Sequence, residues 1–303
     1  MKRVSVIIPS YGSNTDPCRA VDSVFAQSYA EVEVIVVDDN GRNTEQQKLN
    51  ECTFKKYAKE ARFKYIVHEK NQGGSVARNT GAAAASGDYL CFLDDDDFFS
   101  DRDKIKKQIE ADCKLDESWA GTYSSLHKYL GDKPIREIIA KYSGNIVVEF
   151  IEGKTSIGTA APIIRKKCFE AIGGFDGSFK RHQDWEFFSR LADKYQLMAV
   201  PEAYYDRCYK VDVPKKDIET RISYMDKYVD KMKAEITSIP KKRLNKLMKR
   251  KYVSIVFALI KNGQWKRAKE VGQSNGFGIS EYMYMAGSVV SYAFHRVAYG
   301  SHF

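Results

Sequence analysis

Four short runs rich in β-branched and aromatic residues, Val4 to Ile8, Val32 to Val37, Phe63 to Val67 and Tyr89 to Leu93, are separated by stretches of helical periodicity. That alternation leaves little choice of architecture. Parallel strands need long crossover connections, and a helix between each pair supplies them, so this part of the chain is predicted to form a mostly parallel sheet flanked by helices. The helices carry their own signals. Asp16 is placed to cap the first, Pro17 suits its first turn, and Cys18, Val21, Val24, Phe25 and Ser28 follow at helical spacing. A second is predicted over residues 44–61 with Leu49, Cys52 and Ala61 inward, and a third from Gly74 with Val76, Ala77, Thr80 and Ala84. Further on, Ser100 is a good N-cap with Asp103 at the capping-box position.

Beyond Trp119 the pattern is mixed. Residues 122–129, 146–151 and 161–164 read as strands, and 184–195 as an amphipathic helix through Phe187, Phe188, Leu191 and Tyr195, so this half is expected to extend the same sheet. From Pro214 the chain turns helical and Lys-rich, with Pro240 and Gly263 as breaks, which places a domain boundary near residue 213. No repeat or membrane span is evident, since the apolar stretch from Tyr282 to Tyr299 is interrupted by His295 and Arg296. Six cysteines without C-x-x-C spacing argue against zinc knuckles and thioredoxin chemistry. Met1 to Ile8 enters a strand at once, with no room for a signal peptide, so a cytoplasmic protein with reduced cysteines is expected.

Directly after the fourth run come Asp94, Asp95, Asp96 and Asp97. Clustered carboxylates repel one another unless a cation sits among them. Hard divalent cations such as Mg²⁺ or Mn²⁺ take oxygen ligands, usually one or two carboxylates completed by substrate phosphate. A solvated acidic loop is the alternative, but ligands of open α/β sheets bind outside the carboxyl ends of strands, where this run sits. A metal site for a phosphorylated ligand is therefore expected.

Other motifs fall into line with it. Ile7-Ile8-Pro9-Ser10-Tyr11 ends the first strand and Val36-Val37-Asp38-Asp39 the second, while Asn71-Gln72-Gly73-Gly74 through Ala77-Arg78-Asn79-Thr80-Gly81 opens the third helix. Beyond them lie the Asp run, Gly173-Gly174-Phe175-Asp176 and His182-Gln183-Asp184-Trp185-Glu186. In this order and spacing, over roughly residues 1–210, the set resembles the family 2 inverting glycosyltransferases of GT-A fold. The resemblance implies a GT-A type, Rossmann-like α/β catalytic domain over 1–213, with a nucleotide-sugar half (about 1–115) and an acceptor half (about 116–213). A helical C-terminal region over 214–303 is appended to it.

By position, Pro9, Tyr11 and Asp39 match the family's base-and-ribose pocket, where an aromatic can stack on a nucleobase and a carboxylate can accept from uracil or ribose. Gly12 stands where the family more often has Asn. Gly73 and Gly74 permit close backbone approach, and a helix starting there directs free N–H groups at phosphate, with Arg78 one turn in. A structural ion pair with a sheet-end Asp is the other reading of Arg78. Asp94 and Asp96 fit the D-x-D metal motif, Asp96 as direct ligand and Asp94 on sugar, ribose or the metal through water, with Asp95 the alternative first partner. Asp184 matches the general base. Charge at a helix N-terminus is stabilised, which would keep it ionised. The usual Glu–Asp pair is here Gln183–Asp184. Thr159, with Ala160 and Ala161, lies where relatives shape the acceptor side, and Trp185 is placed to stack on acceptor sugar or to fill core.

The implied activity is metal-dependent inverting transfer of a hexosyl or N-acetylhexosaminyl group from a nucleotide-sugar donor, UDP by default, to a saccharide hydroxyl in surface polysaccharide synthesis. Mn²⁺ or Mg²⁺ is the implied cofactor. The net charge of +9 includes seven Lys or Arg residues between Lys241 and Lys251. Leu244, Met248, Tyr252, Ile255 and Leu259 recur there at helical spacing, so residues 241–261 read as a basic amphipathic helix on a membrane surface. That would favour a lipid-linked acceptor at the inner face of the plasma membrane; an appendage that packs on the catalytic domain or mediates a homodimer is the alternative. A nucleic-acid partner is not expected, because the tail lacks interleaved stacking aromatics. Two other functions compete with this one. A nucleotidyltransferase would show a Gly-rich loop with a basic residue after the first strand, and a degenerate glycan-binding protein would have lost Asp184 or the Asp run; neither pattern is present.

Overall fold

The computed structural model describes residues 2–12, 17–209, 217–281 and 283, which leaves the proposed cap Asp16 and, apart from Met283, the stretch from Tyr282 to Tyr299 outside the described residues. The chain divides into two compact units, Met1–Val213 and Pro214–Phe303.

In the first unit an eight-stranded sheet runs in the order β3-β2-β1-β4-β7-β5-β6, with β8 on the other edge of β5. Strands β1 (Val4–Ser10), β2 (Val32–Asp38), β3 (Phe63–Val67) and β4 (Tyr89–Phe92) are mutually parallel, joined through helices α1 (Pro17–Phe25), α2 (Glu45–Phe54) and α3 (Gly74–Ala84). The continuous β-branched runs are explained by burial on both faces. Val4, Val6, Ile7, Ile8, Val34, Ile35, Val36 and Val37 are fully buried, each stabilising the fold by about 1.5–3 kcal/mol. Helix α3 approaches closely enough that a Cβ on Gly81 would lie 2.3 Å from Cγ2 of Ile7.

After α4 (Lys104–Asp112) the sheet turns antiparallel. The long β5 (Trp119–Leu130) pairs with β7 (Pro162–Arg165) and β6 (Lys133–Ile138), and β8 (Gln196–Tyr209) runs parallel to it. Helices α5 (Val147–Glu152), α6 (Lys166–Ala171) and α7 (Gln183–Lys194) complete the unit.

Several local expectations are corrected. Residues 146–151 are not a strand: they start on Ile146 and form α5, whose buried Val147, Phe150 and Ile151 recur at helical spacing. A short apolar run carries no period of its own. The residues expected inward face solvent: in α2 Leu49 is 58% exposed and Cys52 exposed, while Gln47, Asn50 and Phe54 are buried, and Ala61, also exposed, lies beyond the helix, which ends at Phe54 rather than at residue 61. The reason is a polar network: Asn50 donates to Asp38 (2.9 Å), which also accepts from Tyr65 (2.6 Å) and Asn40. Ser100 is not the cap of α4. Its hydroxyl donates to Asp206 (2.7 Å), and the N-cap position is Asp103, whose side chain makes no capping bond. Ser28 lies beyond the end of α1 and donates to Asp103.

The second unit is helical: α8 (Ile218–Glu235), α9 (Lys241–Lys251), α10 (Val253–Lys261) and α11 (Trp265–Ser274). Asp217 caps α8 by accepting from the Thr220 N–H (2.9 Å). Residues 241–261 form two helices that meet at Tyr252, not one. Their apolar stripe is interior, with Leu244, Met248, Tyr252, Ile255 and Leu259 all buried, while Lys241, Lys242, Arg243 and Lys246 are exposed. The exposed surface of α9 is thus largely basic. Among the described residues no helix is long and apolar enough to cross a membrane.

Candidate active site

Strands β1, β2 and β4 end on the same side of the sheet, and the residues at and just beyond their ends line a cavity of about 560 Å³. Pro9 and Tyr11 come from β1, Asp39 from β2, and Asp94, Asp95 and Asp96 from β4, facing Gly73, Gly74 and Arg78 at the start of α3. Tyr11 is 65% exposed at the rim, an unfilled aromatic face. Asp39, by contrast, is 2% exposed, and its carboxylate holds the opposite wall together. It accepts from the backbone N–H groups of Gln72 (2.8 Å) and Gly73 (2.7 Å) and contacts His68 Nδ1 (2.7 Å), whose ring reaches Thr80 on its far side (2.9 Å). Its first role is thus to shape the turn into α3.

That turn puts Gly73 at φ 90°, a left-handed conformation that a Cβ disfavours, and exposes the first N–H groups of α3 toward the cavity. One turn on, Arg78 is 7% exposed and forked: one nitrogen donates to Asp94 (2.5 Å), the other to the Gln183 side-chain oxygen (2.8 Å). A Cβ on Gly74 would lie 3.1 Å from that guanidinium and 3.2 Å from the Gln183 oxygen. Asp94 also accepts from Thr159 (3.0 Å). Burial alone would raise the Asp94 carboxyl, but the Arg78 guanidinium, Arg207 and the Thr159 hydroxyl more than offset this and hold it below the ordinary carboxylate value.

The four aspartates are not equivalent. Asp97 turns inward, 2% exposed, and accepts from the Cys208 N–H (2.9 Å); burial and the charges of Asp94 and Asp96 push its carboxyl well up. Asp94, Asp95 and Asp96 line the cavity. Both Asp94 oxygens are engaged, one by Arg78 and the other by Thr159. Among the described residues no three His, Cys, Asp or Glu side chains converge on a metal position. The donor set is all oxygen and short of a full cage, which fits a hard divalent cation whose coordination is completed by phosphate and water.

On the far side of Arg78 lies a smaller cavity, about 200 Å³, lined by Asp94 and Thr159, by residues 180–184 and by Arg207. Asp184 stands here in the first turn of α7, which begins after His182 in a left-handed conformation (φ 58°). Its carboxylate accepts from the Trp185 N–H (2.9 Å). Burial pushes the Asp184 carboxyl up; Arg207, the Trp185 N–H and Arg78 offset this only in part, so the net shift is upward. The helix N-terminus does not dominate as its position in the sequence implies. Trp185 stacks on His182 (ring centroids 4.6 Å apart) and is not among the residues lining the cavity. Ala160 and Ala161 are fully buried core residues; of that trio only Thr159 reaches the cavity.

Arg207, Lys180 and Arg181 escape sequence reasoning. Arg207 belongs to β8, a strand whose aromatic run Tyr204, Tyr205 and Tyr209 offered a signal, and it shares the face of buried Ala203 and Tyr205. An arginine at that register position is the clue.

The sequence matches the family described as Glycosyl transferase family 2 over residues 5–170. It is 27% identical over 244 residues to the amylovoran biosynthesis glycosyltransferase AmsB of Erwinia amylovora, covering 77% of this chain and 78% of that protein. It is 34% identical over 106 residues to the UDP-Glc:alpha-D-GlcNAc-diphosphoundecaprenol beta-1,3-glucosyltransferase WfgD of Escherichia coli, covering 35% of this chain and 39% of WfgD. Among solved structures it resembles the mannosyltransferase PcManGT of Pyrobaculum calidifontis in complex with GDP-Man and Mn²⁺, with a TM-score of 0.59 and 16% identity over 95% of this chain and 80% of that one. The family match decides against a nucleotidyltransferase. The chain belongs to glycosyl transferase family 2 and is a glycosyltransferase of GT-A fold.

Proposed function

We propose that the chain transfers a hexosyl or N-acetylhexosaminyl group, with inversion, from a nucleoside-diphosphate donor to a hydroxyl of a lipid-linked saccharide during polysaccharide synthesis. The observation that carries this reading is that Asp94, at the donor-side cavity, and Asp184 line one monosaccharide-sized cavity, so a donor sugar held by the first is within reach of an acceptor activated by the second. The catalytic unit is Met1–Val213.

In this reading the nucleobase stacks on Tyr11 beside Pro9 and, the Gly73 N–H being taken by Asp39, the diphosphate meets the N–H groups at the start of α3 from Gly74 on. Arg78, aimed by Gln183, balances its charge. A divalent cation, Mn²⁺ or Mg²⁺, held by Asp96 with Asp94 behind it, would neutralise the same phosphates when bound. Asp184 takes the proton of the acceptor hydroxyl as that oxygen attacks the anomeric carbon. The sugar–phosphate bond breaks, and the nucleoside diphosphate leaves with the bonding electrons. A raised pKa suits Asp184 to this work, since a base nearer the working pH takes the proton more completely.

UDP is the first candidate nucleotide and a lipid-linked saccharide the first candidate acceptor, in line with the name of WfgD; Mn²⁺ is in line with the metal in PcManGT. Calorimetric titration with UDP, GDP and dTDP, each with Mn²⁺ and with chelator, tests the donor site. Metal-dependent binding of UDP is expected. Binding of none of the three would overturn the assignment.

A further inference from the structure

The cavity that holds Asp184 is more cationic than glycosyl transfer from a neutral sugar to a neutral acceptor requires. Arg78, Lys180, Arg181 and Arg207 line it against two carboxylates, Asp94 and Asp184. Arg78 is committed to Asp94 and Gln183, and both it and Lys180 also line the donor-side cavity, where a diphosphate would take their charge. Arg181 and Arg207 line only the cavity of the base.

Neither arginine is held in a close ion pair, although Arg207 acts over a longer range on Asp94, Asp97 and Asp184. Among the described residues neither has a carboxylate within 4.0 Å. Arg181 is exposed beside the left-handed turn at His182. Arg207 is half-buried on β8, its guanidinium 5.4 Å from the centre of the Tyr209 ring. With no close ion pair among the described residues, their N–H donors can take an acceptor that a ligand brings. A planar fork of this kind matches a carboxylate or phosphate through paired hydrogen bonds.

We propose that Arg207 and Arg181 seat an anionic group of the acceptor, a phosphate or a carboxylate close to the hydroxyl that Asp184 deprotonates, so that this enzyme selects an acidic acceptor. This rests on the reading of Asp184 as base and of the neighbouring cavity as donor site. Two sources share the chemistry: the phosphate that links a saccharide to its carrier, and the carboxylate of an acidic sugar. Both place the charge on the acceptor, because a nucleotide already occupies the donor side.

The test uses the full chain saturated with UDP and Mn²⁺, titrated with glucose 1-phosphate, with glucuronate and with glucose. The acidic probes are expected to bind roughly tenfold or more tightly than glucose, and whichever binds better identifies the source. Arg181→Ala, at an exposed position, and Arg207→Gln are each expected to weaken the acidic probe about tenfold and to leave UDP affinity unchanged. Equal binding of all three probes would overturn the proposal. So would loss of UDP affinity in Arg181→Ala with probe binding intact, since the cations would then serve the leaving diphosphate. The loading step reads the donor site separately: protein that binds the acidic probe but not UDP would sink the donor assignment and keep the anion seat.

Discussion

In the proposed mechanism Asp184 must be deprotonated to work, yet it sits where burial favours its protonated form. The conflict has consequences in both stability and rate. A carboxyl whose folded pKa is raised binds protons more tightly in the folded than in the unfolded chain. Stability therefore falls as pH rises from the unfolded value, about 3.9, through the folded one, and the ionised group stays unfavourable above it. Asp184→Asn removes that burden and is expected to raise the melting midpoint at neutral pH by about 1–3 °C; a lowered midpoint would count against the burial argument. On the rate side, Arg207 pulls the same carboxyl down. Arg207→Gln should move the acid limb of kcat/KM to higher pH, checked by a pH profile of UDP release, and an unmoved limb would show that Arg207 does not act on the base. Residues of this kind were unevenly legible. The Asp run, Arg78 and Asp184 stood at strand ends or helix starts, where position gives a polar side chain its meaning. Arg207 stood mid-strand, where charge by itself reads as solvent exposure.

At the scale of elements, α3 is the part that carries the donor side, because its first turn faces the cavity and Arg78 follows one turn in. Its height over the sheet is set by Gly81 against Ile7. Gly81→Ala is expected to cost about 1–3 kcal/mol in chemical denaturation and to weaken UDP binding as the helix lifts. Ile7→Ala in the same chain removes both clashing γ carbons and should recover part of the UDP binding. A neutral Gly81→Ala would show that α3 is not packed as described. The parallel half of the sheet was readable because β1, β2 and β4 are buried on both faces, which forces continuous apolar runs. The rest was harder for physical reasons. Residues 146–151 form too short an apolar run to reveal a period, and β6 is mostly exposed, with no buried face to leave a pattern. The inward face of α2 is polar because Asn50 must satisfy Asp38, so the apolar residues of that helix pointed the wrong way.

For the molecule as a whole, the densest run of cations behind the net charge of +9 lies C-terminal to every residue of the cavity that holds the Asp run. The seven cations between Lys241 and Lys251 flank an apolar stripe that is already buried. Attraction to an anionic bilayer would therefore be electrostatic, about 1 kcal/mol per cation close to the surface, and reversible by salt. Flotation with anionic vesicles at low ionic strength, release at high salt and no binding to neutral vesicles is the expected set. Binding to neutral vesicles would point instead to exposed apolar residues elsewhere in the unit, such as Trp265 and Ile279. The central claim, however, is that donor binding and acceptor activation are performed by separate groups on either side of Arg78. It is tested most directly by measuring UDP affinity and UDP release from the donor sugar in the same samples of wild type and Asp184→Asn. Release should fall about 10²- to 10⁴-fold with UDP affinity unchanged. Equal release from the two proteins would contradict the account.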